Sequence, residues 1–249
     1  MPRLISRRLA LVCTLVFAFA LSTAAVAAAK GTSANLRVAA GGKTLAQETL
    51  KTGTFPLPTS SKATCFGKGT GGSGKPVKIQ GPTALGLLGQ AAKSNKALQP
   101  LLVSDSFDFG LGLCGIGGYS ASSKLSWYLK VNHKNPEIGG EVVKLKPRDD
   151  VLWALAPFPY PNELVLDAPE AAEPGIAFSV RVFSYNDKGK KKPASGASVT
   201  GASAPTGADG STIVVLSEPA TLVATHGKDI PSNQEAVCVA GKCPSDSGS

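Results

Sequence analysis

The sequence predicts a mainly β chain with one helix, divided into an α+β unit and an all-β sandwich. Three observations carry this. Segments such as KLSWYLKV alternate in type with a period of two, which on a pleated strand sends one set of side chains to each face. Only ALGLLGQAAK carries the three-and-four spacing of a helix, with Leu85, Leu88 and Ala92 on one stripe. Beyond Pro157, Pro159 and Pro161, short β-type runs recur roughly every ten residues between turn residues, the rhythm of a sandwich.

The N-terminus is read first because it precedes any folded unit. Arg3, Arg7 and Arg8 start it, an apolar run follows from Leu9 to about Leu21, and small residues end at Ala27-Ala28-Ala29. That is the layout of a secretory signal over residues 1–29 with cleavage near Ala29. An uncleaved anchor is the alternative; no later run approaches the roughly 20 apolar residues that span a bilayer. The expected location is secreted or extracellular envelope. Removing three arginines from the +9 of the whole chain leaves +6 on about 220 residues.

The first unit is expected over residues 34–160. Leu36, Val38 and Ala40 alternate before Gly41-Gly42, and Thr44 to Leu50 resumes an extended pattern, which predicts a hairpin. Residues 52–82 are rich in Gly, Pro, Ser and Thr and read as loop. The helix follows, with Pro82 in its first turn and Gly86 and Gly89 weakening it, so that it needs packing to form. Pro100–Phe109 is apolar and mixed, and the glycines of Gly110–Gly118 read as a bend. In the clearest strand, Leu125, Trp127, Leu129 and Val131 share one face and Ser126, Tyr128 and Lys130 the other. Val142–Leu145 and Val151–Ala156 read as two more strands.

The second unit, residues 162–243, is read as strands in ELVLDAP, AFSVRVFSY, ASVTG, STIVVLS, ATLVATHG and EAVCVA. Asn186-Asp187-Lys188-Gly189 and Ala208-Asp209-Gly210 supply turns. Residues 244–249 read as a frayed tail.

Four cysteines remain after the signal: Cys65, Cys114, Cys238 and Cys243. An even count in an exported chain favours disulfides, and pairing within each unit favours Cys65–Cys114 and Cys238–Cys243 over the other two connectivities. A zinc site would want paired short knuckles, which this spacing lacks.

The charge is spread, with its densest cluster at Lys188–Lys192. Nucleic acid is a poor match for an exported chain with 6% aromatic residues and no basic stripe. An anionic envelope polymer is the better match, with Lys68, Lys75, Lys190, Lys191 and Lys192 as contacts; the plain alternative is solvated turns.

GKGTGGSGKP, residues 67–76, approaches a phosphate loop, but Pro76 stands where the magnesium-binding hydroxyl belongs and no helix follows. No nucleotide is expected. Gly110-Leu111-Gly112-Leu113-Cys114-Gly115 fits a dinucleotide pattern without the helix or the acidic residue that it needs. His133 and His226, one in each unit, are read as exposed and strand-end positions, and Asp149-Asp150 as a turn. No catalytic constellation emerges, and neither enzyme activity nor a cofactor or metal is expected. Trp127 and Trp153 read first as core; the functional alternative is a partly exposed platform for a sugar ring or flat ligand, with Tyr128 or Tyr119 beside it.

TALGLLGQAAK, SFDFGLGLCGIGGY, SWYLKVNHK and KLKPRDDVLWAL together resemble the transcobalamin C-terminal-like domain, a β-grasp module of the soluble-ligand-binding type. Val131-Asn132 and the Asp149, Val151, Trp153 set match its pattern, while His133 and Arg148 stand where it has glycine. PASGASVTG and TGADGSTIVVL resemble bacterial immunoglobulin-like or carboxypeptidase-regulatory-like modules. The pair resembles secreted actinobacterial proteins. The resemblance implies a ligand-binding module, with corrinoid or glycan among the ligand classes. The expected function is a non-catalytic binding or cell-surface interaction protein whose partner is a wall polymer, a glycan or another envelope protein. The alternative is a structural envelope spacer.

Overall fold

The computed structural model describes residues 31–68 and 70–244. The expected signal of residues 1–29 and nearly all of the expected tail lie outside them.

The first unit runs β1 (Thr32–Ala40), β2 (Lys43–Thr52), β3 (Phe55–Leu57), β4 (Val77–Ile79), α1 (Ala84–Ser94), a 3-10 turn (Lys96–Leu98), β5 (Leu101–Phe107), β6 (Gly110–Ile116), β7 (Tyr119–Ser120), β8 (Ser126–Val131) and β9 (Asp150–Ala156). Gly41 and Gly42, at φ 59° and 75°, form the two-residue turn between β1 and β2. Both central residues of that turn type need positive φ, which glycine adopts without a Cβ penalty. The main sheet has the order β2-β1-β9-β8, with β1 parallel to β9 and the other pairs antiparallel.

Thr83 caps α1 by accepting from the Gly86 N–H, so Pro82 lies just ahead of the cap rather than in the first turn. The helix tolerates Gly89 because the chain closes on it: a Cβ there would sit 2.5 Å from Leu57 Cδ1. Its stripe of Leu85, Leu87 and Leu88 joins Leu36, Val38, Ile116, Trp127, Leu129 and Trp153 in one core. Cys65–Cys114 ties the segment before β4 to β6.

Several expectations for this unit change. Residues 52–82 contain the paired strands β3 and β4, which three residues each made too short to show a period. Gly110–Ile116 is a strand, not a bend. Its glycines let neighbours close in, and a Cβ at Gly112 would meet Phe107 at 2.4 Å. Val142–Leu145 forms no strand; only Lys144 makes an isolated bridge, to Thr83.

The second unit runs β10 (Glu163–Asp167), β11 (Ala171–Ala172), β12 (Ala177–Tyr185), β13 (Lys191–Pro193), β14 (Ser198–Val199), β15 (Ser211–Val215), β16 (Ala220–Leu222), β17 (Ala224–Thr225) and β18 (Glu235–Val239). β12 pairs with β10, β13 and β15, while β18 pairs with β11 and β16. Leu164, Leu166, Val180, Val182, Val214, Leu222 and Val237 fill a second core, and Cys238–Cys243 closes the end. The protein is thus mainly β with one long helix among the described residues, where no helix is long and apolar enough to cross a membrane. Two disulfides fit an oxidising compartment.

A third apolar cluster joins the units. Ala39, Tyr128, Leu152 and Ala154, on the sheet face opposite α1, meet Ile230, with Tyr160 packed alongside. The main sheet is therefore covered on both faces.

Candidate functional site

Two places concentrate polar chemistry and exposed apolar surface: a groove on the first unit, and the seam between the units.

The groove lies between β6 and β8, where β8 ends its sheet. It holds about 660 Å³ and is lined by both strands, by residues 135–142 and by Tyr160. The Trp127 and Trp153 side chains line it from the core. Around it stand the apolar side chains Phe66, Phe109, Ile138 and Val142. Phe158, 82% exposed, packs edge-on against Tyr160 at 5.6 Å, and Phe109, 74% exposed, stacks on Phe107 at 4.9 Å. Large apolar residues that face water in one contiguous set mark an interaction site, whereas scattered ones need no explanation. Two polar atoms among the lining residues are buried without a hydrogen-bond partner: Trp127 Nε1 and Glu141 Oε2. Glu141 Oε1 already accepts from the Leu111 N–H at 3.1 Å. Among the described residues, Glu137 and Glu141 are the only charged ones that line the groove.

Of the aromatics expected as a platform, Trp127, Tyr128 and Trp153 line the groove, each almost fully buried, and Tyr119 does not. Trp127 and Trp153 are 8% and 4% exposed and belong to the core beneath the groove. Pairing of Leu129 with Trp153 across β8 and β9 turns both indoles toward α1. Tyr128 points to the other face, where it donates to Asp187 Oδ1 at 2.6 Å and stacks on Tyr160 at 3.8 Å. Burial first, and Asp187 second, push its hydroxyl pKa above the ordinary value. Tyr119 sits on β7 against Gly41, outside the groove. Trp127 and Trp153 thus line the groove from the core, Tyr128 lines it from the seam side, and Tyr119 stays at the hairpin.

At the seam, Glu163 on β10 is clamped by groups of the first unit. Arg37 ion-pairs with it, His133 Nδ1 lies 3.1 Å from Oε1, and Lys130 Nζ lies 3.8 Å from Oε2. Arg37 also donates to the carbonyls of Leu164 and Pro231, and Lys130 to those of Tyr185 and Asn186. The Lys130 side chain has no exposure at all. Burial alone would raise the Glu163 pKa, but the His133 hydrogen bond and the Arg37 and Lys130 charges hold it below the usual carboxylate range. Burial lowers the Lys130 and Arg37 values, which Glu163 partly offsets. His133, expected as an exposed turn residue, is half-buried here and stacks on Tyr185 at 4.0 Å. It adopts φ 67°, and the second unit covers it.

The five predicted lysines remain exposed, in two groups: Lys68 and Lys75 on the first unit, Lys190, Lys191 and Lys192 at β13 on the second. Lys191 Nζ lies 3.6 Å over the Phe183 ring. The loop that carries Lys75 is anchored. Asp105 accepts from the Ser73 N–H and hydroxyl, which holds its carboxyl below the ordinary range, and Ser104 and Ser106 donate to the Thr70 carbonyl. His226 is half exposed and lies 2.9 Å from Asp229.

No protein-family model and no curated protein matches the chain. The groove's rim was missed from sequence because Phe66, Phe109, Ile138 and Val142 share no period. Its one signal is large apolar residues inside Gly- and Pro-rich segments, where a core residue is not expected.

Proposed function

We propose that this chain is an exported, non-catalytic binding protein that recognises its partner through the groove of its first unit. The observation that carries the reading is the gathering of Phe66, Phe109, Ile138 and Val142 at that groove, with Phe158 packed against its lining residue Tyr160. A groove of this size with an apolar lining and a few placed polar groups is the usual form of a binding site. The mixed sheet order with a helix on one face supports the β-grasp, transcobalamin-like reading, and the β12- and β18-centred sheets support the immunoglobulin-like one. An acidic lining speaks against an anionic polymer in the groove; the exposed lysines are the place for such a contact.

The test is binding of the exported chain to glycan, corrinoid, wall-polymer and peptide arrays, beside a Phe109→Ser/Phe158→Ser variant. The reading expects a ligand that the variant loses. A ligand set that both proteins bind equally would remove its basis. The seam favours one further role: a carboxylate clamped by three basic groups fixes the units to each other, as a spacer requires.

A further inference from the structure

The groove has a second property, which lies in its backbone. β8 pairs with β9 on one side and is the end strand of its sheet among the described residues. Asn132 donates to the Asp150 carbonyl on the β9 side, while Val131 and Lys134 bond each other on the opposite side, N–H to C=O at 2.9 and 3.1 Å. Antiparallel ladders alternate, so Leu129 and Trp127, two and four residues before Val131, also turn N–H and C=O away from β9. No backbone partner meets either of them there among the described residues. Both residues line the groove. The edge is closed at each end, by Ser122 donating to the Leu125 carbonyl and by the Val131–Lys134 pair. The opening is thus a short run of unpaired strand, ringed by apolar side chains, with two carboxylates as its only charges among the described residues.

We infer that the groove takes an extended peptide segment of a partner protein, which adds as a strand to β8 at Trp127–Leu129, places apolar side chains against Phe66, Phe109 and Val142, and offers a lysine or arginine to Glu137 and Glu141. This rests on the groove being the binding site and names its occupant. Strand addition explains why an edge lies inside a recognition groove: main-chain bonds supply affinity and alternate side chains supply selectivity. Both carboxylates at the groove select for a cationic side chain, and the buried, unpartnered Glu141 Oε2 awaits a donor.

Phage-displayed random dodecapeptides are selected on the exported chain and counter-selected on Phe109→Ser/Phe158→Ser. Selected sequences should alternate apolar residues and carry a lysine or arginine. One synthetic peptide is then methylated at each backbone nitrogen in turn. Strand addition predicts a two-residue period, with about five- to tenfold weaker binding at the positions that face β8 and little change between them, the loss of one main-chain hydrogen bond at a time. Glu141→Gln, which keeps an acceptor for the Leu111 N–H, should weaken the basic peptide several-fold and leave its norleucine analogue unchanged. An aperiodic methylation scan would overturn strand addition while leaving the groove as the site. Retention of a neutral saccharide that depends on Phe109 would overturn the peptide occupant alone. Failure to select any peptide sensitive to the two phenylalanines would overturn the inference, and failure of every array ligand as well would overturn the groove reading with it.

Discussion

Removing the charge of Glu163 tests how the two units are held together. Glu163→Gln keeps the side chain's shape and one acceptor. It takes away the carboxylate that lies within ion-pair distance of both Arg37 and Lys130. Lys130 is 3.8 Å from Oε2; at that separation a pair in a medium of effective dielectric near 20 interacts by about 4 kcal/mol. Burial works against both cations once the partner is lost, and breaking a buried pair from one side costs about 3–5 kcal/mol. For a protein of this size that is a fall in Tm on the order of 10 °C. Urea denaturation followed by circular dichroism gives the free energy. A cycle with Lys130→Met separates the pairwise part, since coupled neighbours should show an interaction energy of about 1–3 kcal/mol. A Glu163→Gln variant within about 0.5 kcal/mol of the parent, or a cycle that closes additively, would refute the reasoning.

The same carboxylate sets an acid limit. Its folded pKa lies below the ordinary glutamate value, so its contribution is complete above about pH 4.3 and is lost as pH falls through the folded value. The stability gap between the parent and Glu163→Gln should therefore shrink below pH 4, and a gap that stays constant in urea titrations down to pH 3 would count against it. Replacing both Cys65 and Cys114 by serine opens a 49-residue separation and should cost on the order of 4 kcal/mol, against about 2 kcal/mol for Cys238 with Cys243, whose separation is 5. Equal losses in the two double variants would contradict that ordering. Gly89→Val should destabilise by about 1–3 kcal/mol because its Cβ meets Leu57 and Phe55; a neutral result would show that β3 can move away. Phe109→Ser/Phe158→Ser should leave stability within about 0.5 kcal/mol, as fits exposed side chains. A large loss would show that they serve packing instead of recognition.

The mainly β class, the single long helix and the β1–β2 hairpin were legible because each rests on local period and turn chemistry. Leu36, Val38 and Gly41-Gly42 are examples. KLSWYLKV also announced its two faces. What it did not announce is that the face with Tyr128 and Lys130 is covered by the second unit, since period reports alternation and not what lies opposite. Hence Lys130 and His133, polar in sequence, ended in a buried seam, and their partner Glu163 lies 33 and 30 residues away in the chain. Gly110–Ile116 was misread because glycine ordinarily weakens a strand; here Gly112 makes room for Phe107 and for the Cys65 sulfur. The groove needed the fold itself, since Trp127 on β8 and Phe66 and Phe109 on separate segments line one groove only when β6 and the edge strand β8 come side by side.

The chain's two tryptophans, Trp127 and Trp153, both line the groove, which makes intrinsic emission a direct reporter of its occupation. Titrating the protein with a peptide selected on it should change that emission saturably, and Phe109→Ser/Phe158→Ser should weaken the apparent affinity at least tenfold. A peptide that binds with unchanged tryptophan emission and equal affinity for the variant would place recognition elsewhere on the protein.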